Sequence, residues 1–200
     1  MSLIPESLVL ENDRVQLRLL TMNDADNLLT FSLNEPELWN YSLLKAAGKD
    51  NLKNYLDLAM QDFGAGISFP FIVFDKKTMQ YAGSTRYYDI QPQHKSLQIG
   101  YTWYGKAFQG TGLNKNCKYL LLEYSFEILD CERVEFRADA TNKRSIAAMK
   151  SIGCTAEGIL RSHVLKHDGA RRDSIVLSIL KNEWQTQIKD LLAAQIKYLL

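Results

Sequence analysis

No uninterrupted apolar stretch of the chain reaches the ~20 residues a bilayer-crossing helix needs, and its first residues show neither a basic nor an apolar leader. Cysteine is scarce too. Cys117, Cys131 and Cys154 are too few and too widely spaced for a disulfide framework or a C-x-x-C zinc site, so reduced thiols, no metal and a cytoplasmic location are expected. The phosphate-loop pattern G-K-[ST] is missing, since Gly112 is followed by Leu113-Asn114, and the dinucleotide pattern G-x-G-x-x-G lacks its third glycine. A nucleotide triphosphatase and a Rossmann dehydrogenase are disfavoured on that ground. Internal repeats, low-complexity tracts and interdomain linkers are not visible, nor is a basic helix or aromatic platform for nucleic acid.

What is present suits one generous domain: 200 residues, 46% of them hydrophobic. The net charge is +1, but residues 1–62 carry five Lys/Arg against ten Asp/Glu, while residues 133–181 carry ten against five. Either this is scattered solvated charge, or an anionic ligand lies on one side and a cationic acceptor on the other.

Period-two alternation of Val15, Leu17 and Leu19, after Leu8-Val9-Leu10, predicts an opening strand around the polar turn Glu11-Asn12-Asp13. Thr21 and Asp24 form a capping pattern for a helix that ends at Pro36, and a second helix runs from near Asp50 to Gly64-Ala65-Gly66. Residues 69–75, 81–89 and 97–104 read as an antiparallel meander. A helix follows, then a strand at 134–138, completing a β-α-β unit with parallel pairing. Thr141-Asn142-Lys143-Arg144-Ser145 opens another helix stopped by Gly153, and strands at 155–165 and 174–180 are turned at His167-Asp168-Gly169. Trp184, Ile188, Leu191, Leu192 and Tyr198/Leu199 form the apolar stripe of a final helix, read as a packing lid or a subunit contact.

The residues joining the meander to its helix organise the rest. Tyr101-Thr102-Trp103-Tyr104 ends a strand, Gln109-Gly110-Thr111-Gly112 turns, and a helix begins at Leu113. Such a turn aims unpaired backbone N–H groups and the positive helix end at one spot, where a phosphate is a natural occupant.

In their order, these elements and motifs resemble the GNAT acyltransferase superfamily, in particular the RimJ/RimL-like branch of ribosomal-protein N-terminal acetyltransferases. Three motifs carry the resemblance, which covers about 14–184. Gln109-Gly110-Thr111-Gly112-Leu113-Asn114 is similar to the [QR]-x-x-G-x-[GA] loop, with Asn114 replacing the small last residue. Asn142-Lys143-Arg144-Ser145 is similar to N-x-x-S and is followed by Ile152-Gly153-Cys154-Thr155-Ala156-Glu157-Gly158. Arg161 and Arg171-Arg172-Asp173 precede the last strand.

The resemblance implies a mixed α+β fold over residues 1–200, with a mostly antiparallel sheet of about seven strands flanked by helices. The core spans about 14–184 and a C-terminal helical extension about 182–200. It implies acetyl-CoA as cosubstrate, with residues 109–114 on its diphosphate, Thr102, Trp103 and Tyr104 along its pantetheine arm, and Asn142 and Ser145 nearby. A primary amine, either a protein N-terminus or a small amine, attacks the thioester through a tetrahedral oxyanion, and Ser145 is the candidate acid for the departing thiolate. Asn142 is also a natural helix N-cap and Ser145 an ordinary first-turn serine. Lys115, Lys118, Lys143 and Arg144 are candidates for the phosphates, or members of solvated helix faces.

Asp89, Tyr101, Glu157 and His163 are open possibilities for the base, and none is assigned. A lysine-type amine costs about 4.6 kcal/mol to hold neutral at pH 7 and an α-amine about 1 kcal/mol. The acidic N-terminal third favours a cationic acceptor. The partners expected are a CoA thioester and an amine, with no nucleic acid or membrane, in a monomer or homodimer. The competing reading is a catalytically silent acyl-CoA-binding scaffold of the same fold.

Overall fold

Alternation at the start of the chain gives two strands where one was expected. In the computed structural model, which describes residues 4–166 and 169–197, β1 (Val9–Glu11) and β2 (Val15–Leu19) pair antiparallel. The side-chain oxygen of Asn12 accepts the N–H groups of Arg14 and Val15 at 2.9 and 3.0 Å, so the turn is closed by its own residue. The sheet therefore has eight strands, not about seven.

The next strands are β3 (Ser68–Asp75), β4 (Gln80–Gln91) and β5 (Ser96–Tyr104). After them come β6 (Arg133–Asp139), β7 (Thr155–Leu165) and β8 (Arg171–Leu180). Their order across the sheet is β1-β2-β3-β4-β5-β6-β8-β7, antiparallel throughout except for the parallel pair β5 and β6. Residues 167 and 168 of the expected His167-Asp168-Gly169 turn lie outside the described residues, while the strands either side pair as a hairpin would.

Helices α1 (Ala25–Asn34) and α2 (Lys49–Gly64) cover one face. Leu52, Tyr55, Leu56 and Ala59 of α2 recur every three or four residues and are buried, the first three in one cluster with Leu28, Trp39, Ile72 and Trp103. The other face is covered by α3 (Leu113–Glu123), continued by a π-helical turn at Tyr124–Ile128. Helix α4 (Lys143–Ser151) follows β6, and the last helical segment comprises α5 (Lys181–Glu183), a π turn (Trp184–Ile188) and α6 (Lys189–Lys197).

That last segment is a packed element. The Trp184 indole stacks on Phe126 with ring centroids 5.6 Å apart, and Trp184, Ile188 and Leu192 are buried at intervals of four residues. Leu191, expected in the same stripe, is instead 53% exposed, because the four-residue spacing leaves it on the outer side. Tyr198 and Leu199 lie outside the described residues. Gly153, with φ +97°, stops α4 where an added Cβ would sit 3.0 Å from Ile188 atoms, so a single glycine both ends one helix and admits the other.

Candidate active site

Strands β5 and β6 pair only at Ser96, Leu97 and Gln98 against Arg133, Val134 and Glu135, and then part. Strand β6 keeps its ladder with β8 up to Asp139. The separation leaves the β5 edge beyond Gln98 without a strand on that side, and a cavity of about 770 Å³ fills the gap, a volume suited to a ligand site. Helix α4 and the 109–114 turn border it on one side of the sheet. Leu38, Tyr41 and Leu43 border it on the other.

A bulge in β5 shapes this edge. Ser84 pairs with Trp103 but Arg86 with Gly100, so Tyr101 and Thr102 together face Thr85. Tyr101 takes φ +49°, a left-handed conformation uncommon for a bulky residue. Its ring stays on the α2 face, where the Arg86 guanidinium is sandwiched 4.5 Å from the centroids of both Tyr55 and Tyr101. Gly100 permits the neighbouring contact: an added Cβ would come within 2.6 Å of the Tyr88 ring.

The turn before α3 has the features of an anion cradle. Gly110 and Gly112 both have positive φ, +73° and +87°. The N–H groups of Gly110, Thr111, Gly112 and Asn114 make no hydrogen bond among the described residues, whereas Lys115 and Asn116 donate to the Gly112 carbonyl. Gln109 ties the turn to both strand and helix, its amide donating to the Tyr104 carbonyl at 2.7 Å and its Oε1 accepting from Arg144 at 2.6 Å. A residue not anticipated, Asn116, anchors the turn from behind: it donates to the Gly112 carbonyl and accepts from Asn12 at 2.9 Å. Gln109, Gly110, Gly112 and Asn114 line the cavity; Leu113 is buried in the core, and the Thr111 hydroxyl donates to the Phe108 carbonyl.

Asn142 caps α4, its Oδ1 accepting the Ser145 N–H at 3.1 Å. The Ser145 hydroxyl has no partner among the described residues, and both residues line the cavity. Thr102, Trp103 and Tyr104 line it as well, with the Trp103 indole buried against Trp39 and Phe31 and the Tyr104 ring in the opposite core. Lys118, considered for the phosphates, is turned inward. Its ammonium donates to Thr102 Oγ1 at 2.8 Å and Thr85 Oγ1 at 3.1 Å, and burial pushes its pKa down to about 8. Cys117 and Cys154 are buried and pushed up to about 12.

Of the four base candidates, only Tyr101 and His163 line the cavity. Glu157 is bound to Arg133 and accepts from Ser178, and Asp89 accepts from the Gln91 and Gln98 amides. Burial raises the Tyr101 pKa, while burial and then the charges of Arg137, Arg172 and Arg171 lower that of His163, which is neutral at pH 7. His163 Nε2 lies 3.4 Å from Arg137 Nη1 and can only accept there, so Nδ1 carries the proton and donates to Ser174 Oγ at 3.0 Å.

A bulge turns His163 inward. Ser162, at φ +50°, donates its N–H to Asp173 Oδ1 at 2.7 Å, and Arg171 Nε donates to the Ser162 hydroxyl at 2.9 Å. Among the acidic residues of the N-terminal third, only Glu37 lines the cavity, and it is ion-paired with Lys106. The expectation of a cationic acceptor finds no unpaired acid there.

A family model described as "Acetyltransferase (GNAT) domain" matches residues 14–155. The chain belongs to the GNAT acetyltransferase family. It is 27% identical over 180 residues to the uncharacterized N-acetyltransferase p20 of Bacillus licheniformis, covering 88% of this chain and 97% of that one. It is 26% identical to a protein of Bacillus subtilis assigned as the ribosomal N-acetyltransferase YdaF, over 87% of this chain and 95% of that one. A solved structure assigned as an acetyltransferase from T. thermophilus superposes with a TM-score of 0.85 at 32% identity, over 96% of this chain and 97% of the other. Among the described residues no helix is long and apolar enough to cross a membrane.

Proposed function

We propose that the chain moves the acetyl group of acetyl-CoA onto a primary amine by direct attack. The observation that carries this reading is the parting of β5 from β6 beyond Gln98, with unpaired N–H groups of the 110–114 turn at the cavity's edge. An extended, amide-rich arm can add to the exposed β5 edge as a further strand, and the N–H groups of the turn suit a diphosphate. The donor supplies an activated thioester carbonyl; the remaining work belongs to this chain.

A backbone N–H in the Thr102 region, beside the Tyr101 bulge, would serve the developing oxyanion, an effect worth about 3 kcal/mol per well-placed donor. The Ser145 hydroxyl, without a partner among the described residues, passes its proton to the leaving sulfur and regains one from solvent in the cavity. On the opposite side His163 takes the amine proton on Nε2, directly or through water, giving up its long 3.4 Å contact with Arg137 while Nδ1 keeps its bond to Ser174. A neutral imidazole is a sufficient base for an α-amine, which costs only about 1 kcal/mol to present unprotonated at pH 7. Reduced buried cysteines and a CoA donor go with a cytoplasmic setting.

Thiol release is the test. The full chain is given acetyl-CoA and a panel of N-terminal peptides, amino acids and polyamines, and release that depends on an added amine is expected. Measurable CoA binding with no release for any acceptor would replace this reading with the silent scaffold.

A further inference from the structure

Arg172 is a cavity-lining motif residue whose chemistry the reading above leaves unused. Strand alternation turns it away from Arg171 and Asp173, which are engaged at the Ser162 bulge, and toward the cavity. It is only 8% exposed. Its Nε donates to Ser174 Oγ at 3.0 Å, but both Nη groups lack a hydrogen bond or ion pair among the described residues. A guanidinium withdrawn from water with most of its five donors unused bears a desolvation cost that a ligand anion would offset.

The surroundings say which anion fits. The Tyr88 hydroxyl, also without a partner among the described residues, lines the same cavity, and the nearby Arg137 is ion-paired with Glu135 at 2.6 Å. Asp139, 8% exposed, is the strongest anionic influence on Arg172 yet forms no ion pair with it; its Oδ1 is taken by the Thr141 N–H and hydroxyl, and its Oδ2 has no hydrogen bond among the described residues. One cavity thus offers a planar cationic fork and a separate carboxylate oxygen. A planar fork matches a carboxylate bidentately.

Building on the amine-acetylation reading, we propose that the acceptor carries a carboxylate within a few bonds of its amine. Arg172 holds that carboxylate, and Asp139 receives the approaching ammonium. Two sources share this chemistry, a free α-amino acid and a peptide whose first residue is Asp or Glu.

The test compares matched acceptors by thiol release with the full chain: glutamate against glutamate dimethyl ester, and amidated tripeptides beginning with Asp against the same peptides beginning with Asn. Wild type is expected to favour the carboxylate-bearing member of one pair by about tenfold or more in kcat/KM, and the pair that responds identifies the source. Arg172→Gln is expected to collapse the ratio through KM, and Arg172→Lys to restore part of it. Equal rates within both wild-type pairs, or an undiminished ratio in Arg172→Gln, overturn the proposal. Calorimetric binding of the N-acetylated products to the CoA-loaded chain gives a readout independent of turnover. Selective binding of the acidic product without any turnover would sink the acyl-transfer reading and spare this one, whereas turnover and binding without selectivity sink this one alone.

Discussion

Lys118 Nζ lies 2.8 Å from Thr102 Oγ1, beneath the bulge of β5, and no carboxylate pairs with it among the described residues. Its folded pKa of about 8 sits below the ordinary 10.5. Below pH 8 both folded and unfolded chains carry the proton, and the folded one bears the whole penalty, ~3 kcal/mol. Between pH 8 and 10.5 the unfolded chain binds a proton that the folded chain does not, so this group makes stability rise with pH. Lys118→Met is expected to remove that rise and to be no less stable than wild type at pH 7. Urea unfolding at pH 7, 8, 9 and 10 measures both, and identical pH slopes in the two proteins would contradict the assignment.

At Gly112 the backbone requirement and the ligand requirement separate. With φ +87° any side chain costs about 1–2 kcal/mol in the left-handed region, so Gly112→Ala and Gly112→Glu are expected to lose comparable stability. Only the glutamate adds a negative charge beside unpaired N–H groups. CoA affinity measured by calorimetry should therefore fall moderately in the alanine variant and beyond detection in the glutamate variant. Unchanged affinity in Gly112→Glu would mean the diphosphate sits elsewhere.

Much of this was legible because local signals and tertiary packing agree. The double-glycine turn, the Asn142 cap, the Gly153 stop and the parallel β5/β6 pair each have a short-range cause that the residues display. What was not legible depends on distant contacts. Lys118 looks like any exposed helix lysine until Thr85 and Thr102 are brought over it from two strands. Leu191 has the right residue type for the stripe but the wrong side, since four-residue spacing through Trp184, Ile188 and Leu192 fixes the buried line. The bulges at Tyr101 and Ser162 carry no glycine to announce them; Arg86 stacking and the Asp173 carboxylate hold them. Arg172 could be named from its motif, but that its Nη groups find no partner among the described residues is visible only in three dimensions.

The pH dependence of turnover should report His163. Burial and three arginines hold its pKa below 6.5, so kcat at saturating amine is expected to keep an acidic limb below that value, distinct from the limb that the free acceptor's own amine, of pKa about 7.7, gives to kcat/KM. His163→Gln, which keeps a hydrogen-bonding side chain beside Ser174 and Arg137, should lower kcat by about 10²-fold or more and abolish that limb. The same protonation enters stability with a definite sign. Below pH 6.5 the unfolded imidazole binds a proton that the folded one resists, so wild type loses stability as pH falls, and the variant should lose less. A wild-type acidic limb that survives in His163→Gln would assign the base to another group.

Asn142 and Ser145 share one hydrogen bond, yet substitution separates their roles. The cap uses the Ser145 backbone N–H, which Ser145→Ala retains, so that variant should unfold at the same temperature as wild type. Its missing hydroxyl should cost about 10²-fold in kcat with CoA affinity little changed, as expected for a proton donor. Asn142→Ala instead removes the acceptor of that N–H and should cost about 1 kcal/mol of stability. Thermal unfolding and steady-state kinetics on both variants distinguish the two outcomes. A Ser145→Ala enzyme with full kcat would remove the hydroxyl from the mechanism and leave the leaving thiolate to take its proton from solvent.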